Sequence, residues 1–165
     1  PDVKALMDNV LVLLFALLLK DKPPEPQSRG KIKETLQDIF FEVRLSEDNS
    51  EAFLRIKTKD KERYFAGTLF SKKDPRIVRI DNFAVEIVPE GIMLMIYNND
   101  KPGVIGNLGS FFGKNNINIA RMYFGRENAG GMAISVMSID SPITPGNLEE
   151  IKKMPNVLSA KLLNL

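Results

Sequence analysis

Asn98, Asp100 and Asn118 are the side chains best placed for ligand chemistry, because each stands where an apolar run breaks. Ile92 to Tyr97 is an apolar run of strand length, Asn98-Asn99-Asp100 are turn formers, and Pro102 sits where a first helical residue tolerates a missing N–H. A helix is therefore expected from about Pro102. Its N-terminus would present unpaired N–H groups and the positive end of the macrodipole, so the backbone of Gly103, Val104 and Ile105 could receive a carboxylate or phosphate. Asn98 and Asp100 are expected near that end, with Asn118 opening the next strand beside it. The set suits an amino acid, with its carboxylate on the helix end, its ammonium on Asp100 and a polar side chain on the asparagines. The plainer alternative is that Asn98 and Asp100 only make the turn and Asn118 caps its strand. Residue types leave both readings open.

The helix that must position these groups shows Val104, Ile105, Leu108, Phe111 and Phe112 at three- and four-residue spacing, expected on one buried face, with a stop at Gly113-Lys114-Asn115. Gly103, Gly106 and Gly109 make G-x-x-G-x-x-G after a strand, which invites comparison with the dinucleotide fingerprint. Spacing and the lack of an acidic residue about 20 positions on argue against nucleotide binding. At helical spacing the glycines are expected to permit close packing on another backbone.

The chain of 165 residues has no cysteine, histidine or tryptophan, which removes disulfides, thiolate chemistry, the commonest general base and the commonest metal ligand. No carboxylate pair or lysine stands in a recognisable catalytic frame, so neither catalytic nor metal-ligating residues are expected. With 23 basic against 21 acidic residues the charge nearly cancels, and no basic stripe interleaved with aromatics suggests nucleic acid. The first residue, Pro1, suggests a fragment or processed chain.

Along the chain, Val10 to Leu19 is an uninterrupted apolar run, about half of what spans a bilayer, and is read as a buried helix with no membrane partner. Residues 21–30, DKPPEPQSRG, form a proline-rich linker, so 1–30 is one division of the chain. In 31–90, Ile32, Leu36, Ile39, Phe40 and Val43 predict an amphipathic helix over 31–43. Residues 53–88 then alternate as a four-stranded antiparallel sheet backed by that helix, with a hairpin turn at Asp81-Asn82. Its basic residues are those of a solvated sheet face and lysine-blunted edges. From 91 to 165 the order reads βαββαβ, with Thr144 capping the second helix and Pro145 at its first position. The fold class is therefore α+β: a ferredoxin-like βαββαβ unit preceded by a small antiparallel sheet with helices.

At this point the residues resemble a family. DKPGVIG at 100–106 and NINIA at 116–120 are similar to the two characteristic segments of ACT domains, modules that bind amino acids and regulate metabolic enzymes. AGTLF at 66–70, PRIVRI at 75–80, PEG at 89–91 and NINIARM at 116–122 resemble the C-terminal regulatory region of D-3-phosphoglycerate dehydrogenase, from about Glu51 onward. The resemblance implies an allosteric-substrate-binding remnant at 31–90 and an ACT domain at 91–165. It implies L-serine or a related amino acid bound at Asn98, Asp100, Asn118 and the N–H groups of Gly103, Val104 and Ile105, between two paired ACT domains of a homo-oligomer. Arg76, with Lys72 and Lys73, would hold an anionic effector. The catalytic domains and their NAD belong to the parent enzyme, so no cofactor is expected in this chain, and the setting is cytoplasmic. Two other readings are the ACT region of L-serine dehydratase and an oligomerisation module that binds nothing small.

Overall fold

The computed structural model describes residues 40–45, 51–57, 62–70 and 74–165. The expected apolar helix, the proline-rich linker, Lys72 and Lys73 lie outside these residues, as does most of the helix predicted over 31–43. The end of that predicted helix is a correction: Phe40–Leu45 is a strand, β1. Its residues, FFEVRL, include aromatic and β-branched types that suit a pleated strand, and it pairs antiparallel with β2, Glu51–Lys57. A neighbouring strand edge thus outweighed the helical spacing. The described residues divide into two compact units, with the division between Pro89 and Glu90.

The first unit is an antiparallel meander in the order β1-β2-β3-β4-β5, where β3 is Glu62–Phe70, β4 Asp74–Ile80 and β5 Phe83–Ile87. It has five strands where the sequence predicts four, because β1 extends the edge. Phe65, Ile77, Ile80, Phe83 and Ile87 are buried. The turn at Asp81-Asn82 is where the sequence puts it, with Asp81 at a φ of 51°, as a tight hairpin requires. The Asp81 carboxylate accepts from Arg63 Nε at 3.0 Å and from the Tyr64 N–H at 3.1 Å, which ties the turn to β3.

The second unit runs β6 (Ile92–Asn99), α1 (Val104–Lys114), β7 (Ile119–Arg126), β8 (Met132–Ile139), α2 (Pro145–Lys152) and β9 (Val157–Asn164). Its sheet has the order β7-β8-β6-β9, so β6 and β8 are central and β7 is an edge. Leu94, Ile96 and Met137 meet Val104, Leu108, Phe111 and Phe112 of α1 and Ile151 of α2 in one buried cluster. β6 and β8 are buried on both faces: Met93, Met95, Ile134 and Val136 are as buried as the cluster residues between them. Thr144 and Asn147 close a capping box on α2, and the Asn147 side chain donates to Asn115 Oδ1 at 2.9 Å, joining the start of α2 to the end of α1. Among the described residues, no helix is long and apolar enough to cross a membrane.

Two expectations about α1 need correction. It begins at Val104, not Pro102, because Gly103 takes a left-handed φ of 92° and serves as the N-cap. The glycines do not serve close packing within this unit: Gly106 and Gly109 are exposed, and a Cβ at either would meet no atom within 4 Å. Gly109→Ala is accordingly expected to stabilise the chain by about 0.5–1 kcal/mol, the helix-propensity difference. Chemical denaturation of the full chain checks it; a loss of stability would show that this face of α1 is covered in solution.

Candidate functional site

A cavity of about 340 Å³ opens between the start of α1 and the edge strand β7. The register explains its composition. Asn98 pairs with Ala133 across β6 and β8, while Phe124 pairs with Ser135 and Arg126 with Ala133 across β7 and β8. Alternation then turns Asn98, Ser135, Phe124 and Arg126 toward the helical face, alongside Leu94, Ile96 and Met137. The turn contributes Asp100 and Lys101, and α1 contributes Val104 and Ile105.

The floor is polar and buried. Asn98 is 3% exposed and Ser135 is 1% exposed. Ser135 Oγ donates to Asn98 Oδ1 at 3.0 Å, and Asn98 Nδ2 donates to the Asn99 carbonyl at 2.9 Å. The wall is apolar and open, with Phe124 at 50% exposure and Ile105 at 41%. Ile105 is thus a lining residue and not part of the buried face, because one residue past the helix start its side chain falls outside the Val104-Leu108-Phe111 stripe.

Asp100 stands at the mouth and does two jobs. Its N–H donates to the Gly131 carbonyl at 2.8 Å, and its Oδ2 accepts from the Gly130 N–H and from Arg126 Nη1, each at 3.1 Å. These bonds pin the β7–β8 hairpin against the turn. The Gly130 N–H, followed by the Arg126 guanidinium, holds the Asp100 carboxyl below its ordinary range. The helix end beside it has no side-chain cap and no acidic residue in its first turn, and the Val104 N–H makes only a long bond of 3.5 Å to the Lys101 carbonyl.

Of the residues singled out in the sequence, Asn98, Asp100, Val104 and Ile105 line the cavity together, and Gly103 is the N-cap immediately before Val104. Asn118 does not join them. β6 and β7 both run antiparallel to β8, so they are parallel, and Ile119 lies level with Ile92 at the opposite end of the sheet from Asn98. Asn118 Nδ2 there donates to Asp140 Oδ2 at 2.6 Å. Arg126, Phe124 and Ser135 were not anticipated. Arg126 could have been suspected as a counter-charge to Asp100, but Ser135 is one of two serines in an apolar strand and only the pairing register tells it from Ser138. In the other unit, the Arg76 guanidinium lies 5.4 Å from the Phe70 ring centre and Nη1 donates to the Pro75 carbonyl at 2.9 Å.

Comparison with known proteins bears on the same stretch. Residues 92–156 match the ACT domain family. The chain is 41% identical over 112 residues to D-3-phosphoglycerate dehydrogenase of Archaeoglobus fulgidus, covering 67% of this chain and 21% of that protein. With D-3-phosphoglycerate dehydrogenase of Bacillus subtilis it shares 39% over 90 residues, 54% of this chain and 17% of that one. A probable L-serine dehydratase beta chain of Bacillus subtilis is 26% identical over 82 residues, 50% of this chain and 37% of that one. The chain therefore spans about a fifth of the length of the dehydrogenases it matches, and its similarity is to their C-terminal part.

Proposed function

From the premise that residues 92–156 are an ACT domain, we propose that this chain is the amino-acid-sensing region of a D-3-phosphoglycerate dehydrogenase and takes L-serine in the cavity beside α1. The observation that carries this reading is the set of groups the cavity brings together: a carboxylate at Asp100, an uncapped helix end at Val104 and a buried amide at Asn98. An α-amino acid presents the matching ammonium, carboxylate and small side chain. The similarity to D-3-phosphoglycerate dehydrogenases over about two thirds of the chain supports a regulatory role in serine biosynthesis, and with it serine, the end product, as the amino acid.

ACT domains pair as well as bind amino acids, and the edge strand supports pairing here. β7 leaves Met122 37% and Phe124 50% exposed on the helical face, and it carries the unpaired backbone of an edge. Antiparallel pairing of two β7 strands about a two-fold axis sends the start of one strand to the end of the other. Asn118 of the partner subunit would then approach the cavity that the chain's own Asn118 cannot reach. Serine held by groups from both chains favours the paired arrangement, and a differential affinity of about 1–3 kcal/mol between arrangements suffices to regulate attached NAD-dependent catalytic domains.

Isothermal titration of the full chain with L-serine, with glycine, L-alanine and D-serine as controls, tests the reading. Saturable binding selective for L-serine is the expected result. Absence of binding by any of the four to a folded, dimeric sample would leave an oligomerisation module as the better account.

A further inference from the structure

We propose, resting on the amino-acid reading above, that Ser135 sets the cavity's selectivity for a hydroxyl-bearing side chain by fixing the Asn98 amide and presenting its own oxygen as an acceptor. The Asn99 carbonyl can only accept, so the group of Asn98 that meets it at 2.9 Å is the NH₂. Oδ1 then faces Ser135, and an amide oxygen also only accepts. The single proton of the Ser135 hydroxyl is therefore committed to Asn98, over a bond of 3.0 Å.

What remains at the floor is defined by this commitment. Ser135 Oγ keeps acceptor capacity and has no proton left to give, while Asn98 Nδ2 keeps a second N–H. A ligand hydroxyl satisfies both, donating to Oγ and accepting from Nδ2. A methyl group satisfies neither, and at residues only 3% and 1% exposed water has little room to take its place. A carbonyl or ether oxygen can accept from Nδ2 but has no proton to offer Oγ, so it satisfies half of what a hydroxyl does. The floor therefore selects a small side chain that can donate, and Ser135 acts on it both directly and as the positioning residue for Asn98.

The test is titration of the full chain with L-serine and with L-2-aminobutyrate, which replaces the hydroxyl by a methyl at nearly the same volume. The unsubstituted chain is expected to prefer L-serine by about tenfold or more. In Ser135→Ala the preference should collapse to within about twofold of unity, while the affinity for L-2-aminobutyrate is retained. O-methyl-L-serine, which keeps the oxygen and loses the proton, is expected to bind the unsubstituted chain about tenfold or more below L-serine, a result that needs no variant to fold. A preference for L-serine that survives Ser135→Ala, an equal loss of both ligands in that variant, or tight binding of the methyl ether would overturn the assignment. Binding of L-serine without discrimination from L-2-aminobutyrate sinks this inference alone. Failure of the unsubstituted chain to bind any amino acid removes the sensing reading and this one with it.

Discussion

Asp100→Asn is expected to lower L-serine affinity about 100-fold while leaving the β7–β8 hairpin in place, because the substitution keeps the side chain's acceptor oxygen and removes its charge. An asparagine oxygen at the position of Oδ2 still accepts from the Gly130 N–H and from Arg126, which the structure brings to 3.1 Å each. The charge that would meet an ammonium is gone. Asp100→Ala removes both, so it should lose binding to a similar extent and also free the Gly130 amide, read as faster hydrogen exchange at that position. Equal exchange in the two variants would show that the hairpin does not depend on this carboxylate. The pH dependence follows from the direction of the shift. Because the Gly130 N–H and Arg126 depress the folded carboxyl, its contribution is complete above the unfolded carboxylate pKa of about 4 and is lost only as pH falls through the lower folded value. L-Serine affinity is therefore expected to be level from neutral pH down to about 5. A decline that begins near pH 6 would assign the ammonium contact to another group.

The order βαββαβ was legible because α1 and α2 carry their apolar residues at helical spacing and because Thr144-Pro145 announces a start that the capping box confirms. The turn at 98–100 was legible for the same kind of local reason. What the sequence hid is what pairing decides. β6 and β8 are apolar on both faces, so their alternation does not say which residues look toward the helices, and Ser135 emerges as part of the floor only through its register with Phe124. Asn118 shows the matching error in the other direction. A helix that connects parallel strands returns the chain to the far end of the sheet, so Asn118 follows α1 in sequence and is separated from Asn98 by the length of β6. The start of α1 was misplaced because Pro102 suits a first helical position, yet the left-handed Gly103 must come before the helix can begin. In the first unit, Phe40–Val43 carried helical spacing in residues with strong strand preference, and a pairing partner settled the matter.

Mixed dimers of Asp100→Ala and Asn118→Ala chains are expected to regain one full-affinity L-serine site per dimer although each variant by itself binds at least about tenfold more weakly than the unsubstituted chain. The placement of Asn118 is the reason. Within one chain it lies level with Ile92, on Asp140, while the cavity lies level with Asn98. Two-fold pairing of β7 centred near Met122 would put Asn118 of the partner subunit about level with Arg126 of the first chain, since the two positions are equally far from that residue. Each cavity then draws Asp100 from one chain and Asn118 from the other. In the mixed dimer both defects fall in the same cavity, and the second cavity has an intact Asp100 and an intact Asn118. Were Asn118 to act within its own chain, each cavity would carry one defect and mixing would restore nothing. Loss of one hydrogen bond to a charged ligand group reduces affinity by about 10- to 100-fold, so the Asn118→Ala homodimer and the mixed sample should be well separated by titration. A half-stoichiometric isotherm at the affinity of the unsubstituted chain supports the shared site. Dimerisation that proceeds in the mixture with no recovery of binding would remove Asn118 from the ligand and leave it as the residue that ties β7 to Asp140.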